Sequence, residues 1–111
     1  MNKICTSIKQ SQKLIELGID TNTADMYYQW YSETASALHV GKGSKKLNAD
    51  CPAWSLTALL KLMPKSTIST PNPFSDNYCC RNVEFDMEFY ADNPVDAAFE
   101  MICWLLENKK L

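Results

Sequence analysis

The sequence predicts an α+β domain: an antiparallel sheet of four or five strands with three helices, in the order α-β-β-α-β-β-α. Three observations lead there. Residues near both ends repeat apolar side chains at helical spacing behind good caps, "ADMYYQWYS" alternates aromatic residues, and "NVEFDMEFY" alternates apolar with acidic ones. The chain of 111 residues falls in the size range of one domain, and a chain of this length buries roughly 65% of the surface its unfolded form exposes. Its apolar fraction of 46% and charged fraction of 22% are those of a globular protein, which excludes a fibrous or wholly disordered chain.

"TSIKQSQKLIELGID" opens the first helix, expected over about Ser7 to Leu17. Thr6 or Ser7 is its cap, and Ser7 has Gln10 three residues on, the spacing of a capping box. Ile8, Leu14, Ile15 and Leu17 supply an apolar stripe that Ser11 interrupts. Gly18 stands where a left-handed residue closes a helix, and Ile19 is placed to fold back on Leu14.

The aromatic run is a strand with Met26, Tyr28 and Trp30 on one face and Tyr27, Gln29 and Tyr31 on the other. "ALHVG" supplies an antiparallel partner across a loop longer than two residues, with His39 turned to solvent or a polar neighbour. Lys42 to Asp50 reads as a polar connection. In "PAWSLTALLKLMP" Ser55 is the preferred helix cap, ahead of Pro52 as a first helical residue. Trp54 and Leu59 then have the spacing of a hydrophobic staple, and Pro64 stops the helix at Met63. A helix this short is stable only through tertiary packing, so its apolar face reads as core.

"KSTISTPNPFSDN" offers at most a short edge strand around Ile68 and a loop. "NVEFDMEFY" reads as one strand, with Val83, Phe85, Met87 and Phe89 opposite Glu84, Asp86, Glu88 and Tyr90; "NYCCR" is its partner or extension. The last helix begins with Asn93 as cap, Pro94 as first residue and Asp96 in the first turn. Val95, Ala98, Phe99, Ile102, Leu105 and Leu106 form its buried face, Asp96, Glu100 and Glu107 its wet one, and Lys109 and Lys110 complement the dipole at its end.

Composition removes several functions. A net charge of −2 from 11 basic and 13 acidic residues gives no footprint for nucleic acid, and the one basic cluster, "GKGSKK", lacks interleaved aromatics. No stretch has the apolar core of a signal peptide or the roughly 18 apolar residues of a membrane span, so a cytoplasmic protein without membrane contact is expected. Cys5, Cys51, Cys79, Cys80 and Cys103 are an odd set without a Cys-x-x-Cys pair and read as reduced, buried thiols. His39, the only histidine, has no nucleophile signature beside any serine, and the Gly-rich phosphate cradles are absent. No catalytic residue, metal ligand or cofactor is assigned.

Two functional readings remain. The first is a non-catalytic interaction module that binds a protein partner or its own copy through Tyr27, Tyr28, Trp30 and Tyr31 or through an exposed sheet edge, since such side chains dominate interface hot spots. The alternative is a small enzyme or divalent-metal-dependent protein using Glu84, Asp86 and Glu88, three carboxylates on alternate strand positions, together with His39. The ordinary reading of that acidic face is solubility and protection against wrong pairing.

Three blocks, "CTSIKQSQKLIELGIDTNTADM", "PAWSLTALLKLMP" and "ADNPVDAAFEMICWLLENKKL", together resemble a family of short uncharacterised proteins of Bacteroides-type gut bacteria and their phages and mobile elements. They cover about half of the chain. The resemblance implies a bacterial cytoplasmic protein, encoded on a prophage or mobile element, and brings no activity or catalytic residue with it. Tyr27 to Asp50 and Lys65 to Asp92 lie outside it.

Overall fold

A computed structural model describes residues 4–30, 36–40, 51–69 and 77–110. Within them the order is α1 (Ile8–Glu16), β1 (Met26–Trp30), β2 (Ser36–Val40), β3 (Cys51–Ala53), α2 (Leu56–Leu62), β4 (Ser66–Ser69), β5 (Tyr78–Asn82), β6 (Met87–Ala91) and α3 (Pro94–Glu107). The α+β class and the three helices are as expected. The single sheet of four or five strands is not: the strands form two three-stranded antiparallel sheets, β2-β1-β3 and β4-β5-β6.

The first departure is β3, which the sequence reading passed over as the approach to α2. Cys51, Pro52 and Ala53 pair with Tyr28, Tyr27 and Met26. Proline lacks a donor for the ladder, which argues against a central strand but not against an edge such as this one. The second departure splits the alternating run. Residues 83–86 form a turn between β5 and β6, so Val83, expected on the apolar face, is 63% exposed.

Asn82 explains the turn. Its side-chain oxygen accepts from the backbone N–H groups of Glu84 and Phe85, each at 3.0 Å, and its amide nitrogen donates to Ser66 Oγ at 3.0 Å. An asparagine that bonds its own following backbone mimics a turn and competes with the ladder. Asp86 then takes a left-handed conformation, φ 52°, and returns the chain to β6. Strict alternation of side chains is compatible with a strand; it cannot register that one asparagine has turned the backbone.

The helix ends behave as their sequences predict. Ser7 Oγ accepts from the Gln10 N–H while the Gln10 side chain accepts from the Ser7 N–H, a complete capping box. Gly18, at φ 99°, closes α1 in a Schellman motif with bonds from Ile19 N to Leu14 O and from Gly18 N to Ile15 O. Ser55 caps α2 and Asn93 caps α3. The stripe of α1 is rotated from expectation, because Ser11 is fully buried and Ile15 partly exposed. Thr6 Oγ1 lies 2.8 Å from Ser11 Oγ, which satisfies a hydroxyl that would otherwise be costly to bury.

The main core lies between α3, α2 and the inner face of the second sheet. Cross-strand register puts Ile68, Cys80, Met87 and Phe89 toward this core and Thr67, Arg81 and Glu88 toward water, with Cys79 also on the outer side. Trp54 and Leu59 are both fully buried there, so "PAWSLTALLKLMP" builds core. On α3 the buried face is wider than its periodicity predicted and includes Ala97, Met101 and Cys103. Asp96, read as a water-side residue, is half-buried and accepts from Gln10 Nε2 at 2.8 Å and Asn93 Nδ2 at 2.8 Å. Gln10 thereby links the start of α1 to the start of α3. Phe85 packs its ring centroid 6.0 Å from that of Trp104, with Lys110 Nζ over the Phe85 ring at 5.3 Å from its centroid, so the β5–β6 turn rests on the end of α3. The expected connection over Lys42 to Asp50 and the loop after β4 lie outside the described residues.

Two substitutions test these backbone assignments. Asn82→Ala strips an almost fully buried position of one donor and the acceptor for two N–H groups, and should cost about 2 kcal/mol in urea unfolding. Lys109 closes α3 with φ 55° and bonds from Lys109 N to Leu106 O and from Lys110 N to Leu105 O. That conformation costs a side-chain-bearing residue about 1 kcal/mol, so Lys109→Gly should raise the urea midpoint.

Candidate functional site

The aromatic strand β1 is the centre of the first sheet, with β2 and β3 on either side. Strand geometry sends alternate side chains to opposite faces. Met26 and Tyr28 therefore share a face with their partners Ala53 and Cys51 on β3, and Tyr28 with Leu38 on β2. Cys5 packs beneath that face, making a small second core of Cys5, Met26 and Ala53 with Tyr28 and Leu38 at its margin. Tyr27 is half-buried on the other face, across from Pro52.

Tyr28 is held by the chain segment before α1. Its hydroxyl donates to Thr6 O at 2.9 Å and lies 3.5 Å from Cys5 Sγ. Since the hydroxyl proton is used on the carbonyl, the thiol is left to donate weakly to the tyrosine oxygen. Burial, followed by the contact with Cys5, pushes the Tyr28 hydroxyl well above the usual tyrosine range. A ring fixed in this way braces the sheet from inside.

Of the four residues singled out from sequence, Tyr27, Tyr28, Trp30 and Tyr31, the structure separates the first two, as alternation along β1 predicts. Tyr28 faces the small core and Tyr27 the opposite side; Trp30 ends β1 in register with Ser36; Tyr31 lies outside the described residues. What the same strand does position is an edge. β2 pairs with β1 through five consecutive residue pairs, Met26 with Val40 to Trp30 with Ser36. Among the described residues no strand lies on its other side. Its sequence, "SALHV", has neither a charged residue nor a proline, the devices that commonly protect a strand edge.

The acidic constellation is rearranged. Glu84 and Asp86 lie on the turn and Glu88 on β6, so the three carboxylates do not share one strand face. Arg81 stands 3.3 Å from Asp86 and 3.8 Å from Glu88, and these exposed groups form ion pairs of modest worth. Tyr90 donates to Glu88 at 2.8 Å, and that bond leads the effects pushing the Tyr90 hydroxyl up to about 12. Position 39 sits on β2 in the other sheet. Among the described residues no group of three or more His, Cys, Asp or Glu side chains is placed to hold a metal ion.

All five cysteines are free, and all but Cys51 are buried. Adjacent Cys79 and Cys80 occupy opposite faces of β5, as its alternation requires. Burial pushes the Cys80 thiol up to about 12 and the Cys103 thiol up to about 11, and raises Cys51 as well. Thiols held protonated are poor nucleophiles. Sequence reasoning missed Thr6, Asp25 and Asn82. Asp25 accepts from both the N–H and the hydroxyl of Ser55, while Ser55 Oγ accepts from Ala58 N–H at 3.2 Å. Asn82 carried a readable turn signal; Thr6 meets nearby Ser11 but also Tyr28 and Trp54, 22 and 48 positions away, and Asp25 acts on Ser55, 30 positions away.

No family model, curated protein or solved structure matches this chain. No helix among the described residues is long and apolar enough to cross a membrane.

Tyr28→Phe should lower stability by about 1 kcal/mol in urea unfolding, the usual worth of one hydrogen bond. Alkali should destabilise the fold in a defined window. Cys80 and Cys103 titrate from a reference value of 9.0 in the open chain to about 12 and about 11 when folded, so the unfolded state loses protons first. Their contribution is intact below pH 9 and is lost as pH rises through their folded values. Cys80→Ala should flatten the dependence of urea midpoint on pH above 9.

Proposed function

We propose that this protein is a non-catalytic protein-interaction module that takes an extended polypeptide segment against the outer edge of β2. The observation that carries the reading is the uncharged, unbulged edge of a strand paired on one side only among the described residues. An extended peptide added there gains main-chain hydrogen bonds along the strand, and side chains on the sheet faces set its specificity. Tyr27 contributes from the face that Tyr28 does not occupy, and position 30, which ends β1, is the second candidate anchor. The occupant is a protein partner or a second copy of this chain. The three blocks that resemble the Bacteroides-type family support placing it in a bacterial cytoplasm, encoded on a prophage or mobile element.

Light scattering and affinity capture test the reading when run on four proteins: the native chain, Ala37→Lys with His39→Lys, Tyr27→Ser with Trp30→Ser, and Tyr28→Phe. The paired lysines charge the edge and should abolish self-association or partner recovery, and the Tyr27/Trp30 variant should weaken it about tenfold. Tyr28→Phe should leave it unchanged, because the hydroxyl points to Thr6. A folded lysine variant that associates as the native chain does would refute the edge.

A further inference from the structure

We draw no further inference here: the strongest candidate, the uncharged outer edge of β2 as a self-pairing surface joining two copies of the first sheet, belongs to the site already described, and nothing in the structure shows what covers it.

Discussion

The reciprocal pair of hydrogen bonds between Thr6 and Trp54 is the constraint on which the rest of the structure depends. Thr6 N–H donates to Trp54 O at 2.9 Å, and Trp54 N–H donates back to Thr6 Oγ1 at 3.0 Å. Every polar group of Thr6 is used, because its carbonyl takes the Tyr28 hydroxyl and its Oγ1 meets Ser11. Trp54 meanwhile sends its ring into the main core and its indole N–H to Thr23 Oγ1 at 2.9 Å. Both residues are fully buried, where an unpaired donor or acceptor costs about 1 to 3 kcal/mol. One residue pair therefore fixes α1, β1, β3 and α2 with respect to one another.

From that junction the two sheets acquire different characters. The second is laid on α3 and buries one face in a continuous core, with its outer face given to Arg81, Glu88 and Tyr90. Among the described residues the first is held through a smaller cluster around Cys5, Met26 and Ala53. Few buried apolar contacts mean a lower local cost of rearrangement, and binding regions draw on such elements. The interaction reading thus falls on the first sheet for the same reason that the second serves as scaffold. It also moves within that sheet, from an aromatic face to the β2 edge, once Tyr28 is accounted for as a brace.

Local signals in the sequence were reliable at the helix ends, where a short-range interaction decides the outcome. The capping box of Ser7 and Gln10, the Schellman ending at Gly18 and the caps at Ser55 and Asn93 each depend on residues within a few positions, and each is present. The β1–β2 hairpin was legible from alternation alone. The split at residues 83–86 was not, since apolar and acidic residues alternate there as in a strand while Asn82 reverses the chain. The strand of the candidate site was legible too, with Tyr27 and Tyr28 on opposite faces as alternation requires, while the hold of Tyr28 on Thr6 was not.

The sequence by itself determined the α+β class, the three helices and where each begins and ends, because caps, helical periods and alternation act over one or two turns of chain. Only the tertiary structure decided that the strands divide into two sheets, that Cys51–Ala53 is one of those strands, and that Tyr28 points inward to Thr6. Those outcomes rest on pairing and burial between segments distant in sequence, where the free energy belongs to the contact and to neither segment alone.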